Sequence, residues 1–152
     1  MDVDVRTDIV IERPIGEVSA YASEPENAPS WYANIASAQW QTTPPLAVGS
    51  RFAFVASFLG RRLAYIYEVV ELDPEHRLVM RTDEGPFPME TTYTWEADGA
   101  DRTRMTLQNR GTPAGFASVT APVLAQAMRR ANVKDLARLK AVLEAPPARG
   151  DW

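Results

Sequence analysis

Apolar and polar residues alternate through the middle of the chain, from Arg51 to Asn109. A period of two residues places successive side chains on opposite faces of a β-strand. One set of positions holds mostly apolar and aromatic side chains, and the positions between them are mostly polar. The clearest members of the apolar set are Phe52, Phe54, Leu63, Tyr65, Tyr67, Val69, Leu78, Met80, Met89, Tyr93, Trp95, Met105 and Leu107. The pattern predicts five consecutive antiparallel strands with one buried and one solvated face.

Residues that favour tight turns separate these five segments. They are Leu59-Gly60, Asp73-Pro74, Gly85-Pro86 and Asp98-Gly99, and Gly, Pro and Asp each suit the dihedral angles that turns need. The same alternation predicts a strand over Asp2–Glu12, before the central run, and another over Ile35–Thr42.

In two further parts of the chain, the spacing of apolar residues is that of a helix rather than of a strand. After Pro14, a short helix is predicted with Ile15, Val18 and Tyr21 inward. Ser23–Ser30 holds too many helix breakers for more than a helical turn or two. Near the C-terminus, Thr120 is a suitable N-cap and Pro122 suits a first helical turn. This predicts a helix over Ala121–Glu144, about 35 Å long, after a separate helical piece at Phe116–Val119.

These elements indicate an α+β fold in one domain over residues 1–145, followed by a flexible tail over 146–152. A curved antiparallel sheet of about seven strands would wrap around the long C-terminal helix, with two short helices after the first strand. Because a curved sheet and a single helix cannot fill the space between them, the pattern predicts an internal cavity.

Composition narrows the function classes. The net charge of −4 argues against nucleic-acid binding, which needs a basic face. The absence of Cys excludes disulfides and thiolate chemistry. No apolar stretch approaches 18 residues, so membrane insertion is not expected, and neither a signal peptide nor a location outside the cytoplasm is predicted. The preference for Arg over Lys favours a bacterial source with GC-rich DNA.

Several stretches carry a family resemblance over most of the chain. They are Ile11–Val18, Ser23–Trp31, Val48–Phe52, Gly85–Met89 and Asn132–Lys140. In the order strand, two short helices, six strands and one long helix, the chain resembles the START-like (SRPBCC) superfamily with the helix-grip fold, and within it the polyketide cyclase/dehydrase-like branch. At position 24 this chain has Glu where members of that branch more often have Asp.

The resemblance implies a deep cavity between the sheet and the long helix. Relatives use such cavities for lipids, sterols, plant hormones and polyketides; some are aromatases or cyclases, and others bind ubiquinone or a chaperone ATPase. A shared fold does not choose among these activities, because function depends on the residues of the site.

Strong catalytic chemistry has little support in the sequence. The one histidine, His76, falls in a turn, where a solvated side chain is expected rather than a catalytic one. No metal site, phosphate loop or cofactor is predicted. Glu68, Glu71 and Glu90 fall on the outward phase of their strands. Asp83 and its neighbour Glu84 border a turn and are the only acids that we consider for proton transfer. Tyr65 and Asp83 are the weak catalytic candidates.

The inward face supplies the candidate binding residues. Its phenols and two inward amides can orient a ligand or form hydrogen bonds with one another. The alternative is a purely structural role, in which these side chains fill the core. The predicted ligand-binding residues are Phe54, Tyr65, Tyr67, Met80, Tyr93, Trp95, Asn109, Met128 and Asn132. Trp31 and Phe87 are predicted at the entrance of the cavity.

The favoured interpretation is non-catalytic binding of a hydrophobic or aromatic small molecule, lipid or polyketide-like, as a monomer or homodimer. The alternative is a cofactor-free polyketide cyclase, aromatase or dehydratase that uses tyrosine or carboxylate acid–base chemistry. A third class, a protein-interaction module that uses the sheet face or edge, would require a large exposed apolar patch.

Overall fold

The computed structural model of the chain describes residues 3–58, 60–84, 88–111 and 121–145. Within these ranges the side chains of Phe58, Arg61, Asp83, Glu84 and Ala121 are not described. The predicted helical piece at 116–119 and the predicted tail at 146–152 lie outside the described residues.

Seven strands form one open antiparallel sheet, in the order β1-β7-β6-β5-β4-β3-β2. The strands are β1 (Val3–Ile11), β2 (Ile35–Trp40), β3 (Arg51–Phe58), β4 (Arg61–Asp73), β5 (Arg77–Glu84), β6 (Met89–Ala97) and β7 (Thr103–Gly111). Strand β2 ends at Trp40, two residues before the predicted end. Beyond Trp40, the Gln41 amide still donates to the Arg51 carbonyl at 2.8 Å, but the Arg51 amide donates to the Thr42 hydroxyl at 3.1 Å instead of to a carbonyl.

The helices follow the predicted order. Helix α1 (Ile15–Ser23) comes after β1, and a 3₁₀ turn at Pro25–Asn27 leads into the short α2 (Ala28–Trp31). Helix α3 (Ala121–Glu144) has the predicted bounds. No helix in the described part of the chain is long and apolar enough to span a membrane.

The predicted alternation is confirmed along the central strands. Leu63, Tyr65, Tyr67 and Val69 of β4 are all buried, and β7 places Met105 and Leu107 in the core at 0% exposure. The Asp98-Gly99 turn is also confirmed, since Gly99 has a φ of 86°, which a residue without a Cβ adopts at least cost. The sheet and α3 therefore share one hydrophobic core.

Helix α3 lies along β1, one of the two edge strands of the sheet. Its side chains bond the unpaired backbone groups of that edge. Lys140 Nζ donates to the Val10 carbonyl at 2.8 Å, and Arg129 donates to the Arg6 carbonyl at 3.0 Å. Glu144 accepts the Glu12 amide at 2.6 Å. A covered edge cannot template pairing with another chain.

Irregular pairing bends the other half of the sheet. The register shifts once in β2, between Ile35 and Ser37, and twice in β4. A shift of this kind adds a residue to one strand and bends it. The bends lie on the strands farthest from β1, whose edge α3 follows. Helix α3 therefore follows the regular edge of the sheet, and the irregular strands lie at the other side.

Candidate functional site

A cavity of about 140 Å³ lies between the sheet and α3. Strands β2 to β7, helix α3 and the link between α2 and β2 all contribute to its wall. The wall is mostly apolar, and its polar groups include hydroxyls, amides and one carboxyl. Its apolar part includes Ile35, Phe54, Ala56, Leu63, Met80, Met89, Met128 and Ala131. No Lys, Arg or His is among the described residues of the wall.

Most of the predicted binding residues meet on this wall. These are Phe54, Tyr65, Tyr67, Met80, Tyr93, Asn109, Met128 and Asn132. They come from five strands and one helix, and alternation alone was enough to orient each strand residue inward. Their role in binding a ligand stays a proposal.

The structure places two predicted tryptophans elsewhere. Trp95 faces inward but lies one strand repeat beyond Tyr93, and it borders a second hollow of about 370 Å³ beside α1. Trp31 is 0% exposed and does not line the cavity, so it is not an entrance residue. Its ring lies behind the wall, 4.1 Å from that of Tyr32 between centroids. Phe87 and the side chain of Asp83 fall outside what the structure describes.

A pair of phenols forms one polar point on the wall. The hydroxyl oxygens of Tyr32 and Tyr93 are 2.7 Å apart, and either can be the donor. Burial raises the pKa of both phenols well above the usual value, and it raises the pKa of Tyr67 to about 12. These groups therefore stay protonated near neutral pH. They can donate hydrogen bonds but do not serve as phenolate bases.

Asp135 is a carboxyl on the cavity wall that sequence reasoning missed. Asp135 is 3% exposed, and its Oδ1 accepts a hydrogen bond from the Ala33 amide at 3.0 Å. Burial raises its pKa to about 6, opposed by that amide and by the charge of Arg138. The sequence analysis considered only Asp83 and Glu84 for proton transfer and did not consider Asp135. Asp135 lies two helical turns beyond Met128, a spacing that places both residues on one face of the helix. The helical period could therefore have predicted that Asp135 faces the cavity.

A chain of buried side-chain bonds crosses from the sheet to α3. Thr91 Oγ1 donates to Asn109 Oδ1 at 2.7 Å, and Asn109 Nδ2 donates to Asn132 Oδ1 at 3.3 Å. Sequence reasoning predicted both inward amides but not Thr91 as their partner. The two amides satisfy each other only in part, because Asn132 Nδ2 has no partner among the described residues.

The turn histidine and three outward-facing glutamates lie where the sequence predicts them. His76 is exposed in the turn between β4 and β5. On the outer face, Glu68, Glu71 and Glu90 each pair with an arginine. Among the described residues no group of three or more His, Cys, Asp or Glu could hold a metal ion.

Solved structures share this architecture over almost their whole length. The protein TTHA0849 from Thermus thermophilus superposes with a TM-score of 0.80 at 21% identity, covering 95% of this chain and 99% of that one. A START superfamily protein from Mycobacterium smegmatis gives 0.81 at 15% identity, covering 93% and 97%. The Zhui aromatase/cyclase from Streptomyces sp. R1128 gives 0.77 at 15% identity, covering 95% and 94%. At these identities the similarity shows the shared fold.

A comparison of the sequence with models of protein families adds to these pairwise superpositions. A model of the family described as polyketide cyclase/dehydrase and lipid transport matches residues 2–144. No curated protein matches the sequence.

Proposed function

The chain belongs to the polyketide cyclase/dehydrase and lipid transport family, and from this premise we propose that it binds a small hydrophobic or aromatic molecule in the cavity between the sheet and α3. The observation that carries the proposal is the wall itself. Aliphatic, thioether and aromatic groups surround a few polar atoms at defined positions, which is the usual composition of a small-molecule site.

The cavity limits the size of the ligand. At about 140 Å³, it is comparable to an engineered apolar cavity of roughly 150 Å³ that binds benzene. A molecule built on one substituted aromatic ring fits without rearrangement. A longer lipid or a polyketide with several fused rings requires the wall to move outward. The aromatic rings of Phe54, Tyr65 and Tyr67 have centroids 5.6–5.8 Å apart in successive pairs, with interplanar angles of 62° and 47°. They therefore offer both ring edges and ring faces to an aromatic ligand.

Two measurements test the binding proposal. Native mass spectrometry of protein purified without detergent is expected to show an adduct that disappears on denaturation. In a nuclear magnetic resonance titration, the hydrocarbon α-methylstyrene is expected to shift resonances of cavity residues and leave those of the outer sheet face unchanged. Protein that carries no adduct and shows no cavity shifts up to the solubility limit of α-methylstyrene would contradict the proposal.

Asp135 favours a second candidate function, cofactor-free acid–base catalysis on a bound carbonyl compound. A carboxyl with a pKa of about 6 is half ionised close to neutral pH, where general catalysts are most effective. As the carboxylate it would take a proton from the carbon next to the carbonyl. A neutral phenol of the Tyr32–Tyr93 pair would donate a hydrogen bond to the enolate oxygen. Return of the proton to the carbon closes the cycle.

Deuterium exchange separates catalysis from simple binding. In D₂O, the methyl protons of acetophenone exchange through the enolate, and the protein is expected to accelerate this exchange above the buffer rate. The acceleration should rise with pH through about 6 and disappear in Asp135→Asn, which retains an acceptor for the Ala33 amide. Acetophenone that binds but exchanges at the buffer rate would exclude this second candidate and leave the binding proposal intact.

A further inference from the structure

Asn132 reveals which chemical class of ligand the cavity selects. We infer that the site prefers a neutral molecule with a hydrogen-bond-accepting oxygen, such as a ketone, ester or quinone carbonyl, and that Asn132 Nδ2 donates to it. The inference rests on the proposed binding function and adds the identity of the recognised group.

The direction of the buried hydrogen-bond chain sets this preference. The Thr91 hydroxyl donates its hydrogen to Asn109 Oδ1. Asn109 in turn donates to Asn132. Both bonds run from the sheet toward α3, and the chain ends in the Asn132 amide group, which carries two N–H donors. The amide oxygens of Asn109 and Asn132 are both already used as acceptors.

An unpaired donor in this position is costly. Asn132 is 5% exposed and lines the cavity, and its Nδ2 has no partner among the described residues. A buried amide without a hydrogen bond costs about 1–3 kcal/mol. A ligand oxygen that accepts a hydrogen bond from Nδ2 removes that cost, whereas a ligand group that only donates leaves Nδ2 unpaired.

The charge of the wall excludes an anionic oxygen. None of the described wall residues is cationic, and Asp135 is three residues from Asn132 on the same helix face. A carboxylate or phosphate that entered this cavity would lose its hydration and would lie near the carboxyl of Asp135. It would find no cationic wall residue to pair with. The oxygen that Asn132 recognises therefore belongs to a neutral group.

Three probes of similar size isolate the donor. Acetophenone carries a carbonyl, α-methylstyrene replaces that oxygen with a CH₂ group, and benzoate replaces the methyl ketone with a carboxylate. The quantity of interest is the ratio of the Kd of α-methylstyrene to the Kd of acetophenone. In Asn132→Leu this ratio is expected to fall roughly 3- to 10-fold, the value of one hydrogen bond. Benzoate is expected to bind at least about tenfold more weakly than acetophenone at pH 7.5.

A matched variant controls for shape. Met128→Leu changes the same wall of α3 one turn earlier, and it is expected to change both Kd values by a similar factor and preserve the ratio. If Asn132→Leu also preserves the ratio, or if benzoate binds as tightly as acetophenone, the inference is wrong while the binding function stands. If neither neutral probe binds the wild-type protein, the binding function and the inference both fail.

A second readout needs no variant. In ¹⁵N-labelled wild-type protein, saturating acetophenone is expected to move the Asn132 side-chain amide protons downfield, as an N–H···O bond forms. The α-methylstyrene complex provides the reference without that bond. Equal amide shifts in the two complexes would overturn the assignment of Asn132 as donor, even if Asn132→Leu does not fold.

Discussion

A single buried carboxyl shows how position changes the chemistry of a residue. Asp135 lies on a helix where other charged residues, such as Lys134 and Arg138, are exposed, yet it is 3% exposed itself. Its carboxylate holds the link between α2 and β2 through the Ala33 amide. Burial disfavours the charged form of this group more than the amide bond and Arg138 favour it. Asp135 therefore costs folding free energy when it is ionised.

The cost of Asp135 should depend on pH. The unfolded chain ionises near the ordinary value of 3.8 and the folded protein near 6, so the contribution of this group to stability falls as pH rises from about 4 to about 6. Asp135→Asn has no such dependence. In urea denaturation, the free energy of unfolding of Asp135→Asn minus that of the wild type is expected to grow by on the order of 2 kcal/mol between pH 4 and pH 7.

A surface acid provides the control for this measurement. Asp101 is exposed in the turn before β7, so Asp101→Asn makes the same chemical change at a solvated position. A difference for Asp135→Asn that does not change with pH would show that the folded protein does not bury this carboxyl.

At the scale of elements, α3 completes the sheet. The helix was predictable from its period and from Pro122 in its first turn, and its bounds match the prediction. That it runs along β1 and bonds three backbone groups of that edge was not predictable. The partners are more than 100 residues apart in sequence, and no local pattern records such a distance.

Lys140 is the residue that tests this edge contact. Lys140→Met keeps most of the aliphatic side chain but removes the bonds to the Val10 carbonyl and to Glu144. The free energy of unfolding is expected to fall by about 1 kcal/mol. The control is Lys134→Met, since Lys134 is an exposed lysine of the same helix and should lose at most about 0.5 kcal/mol. Equal losses in the two variants would mean that the Val10 contact contributes nothing to stability.

At the scale of the whole molecule, the cavity is the space between the sheet and α3. Two of the strands that line it, β2 and β4, carry the register shifts of the sheet. Its wall draws on six strands and the helix. A substitution at an apolar wall residue can fill the cavity and leave all of its polar groups in place.

Ala131 offers that substitution. Its side chain lies on the cavity wall, and Ala131→Phe is expected to weaken binding of α-methylstyrene more than about tenfold while the melting temperature changes by only a few degrees. Ala137→Phe, on the exposed face of α3, should bind as the wild type does. Unchanged affinity in Ala131→Phe would place the ligand outside this cavity.

The local periodicity of the sequence was enough to predict which side chains of the strands and of α3 face inward. Alternation in the strands and the helical period of α3 oriented Tyr67, Tyr93, Asn109 and Asn132 inward, because direction depends only on local backbone geometry. The same periods were enough to predict the seven strands, the long helix and the space between them.

Which of the inward residues reach the cavity follows from the tertiary structure alone. Tyr93 reaches the cavity and Trp95, two residues later on the same face, does not. Asp135 becomes buried because α3 passes the Ala33 link at that level. Such positions depend on strand bends and on the path of the helix across the sheet. These are set by contacts between distant parts of the chain and leave no local period in the sequence.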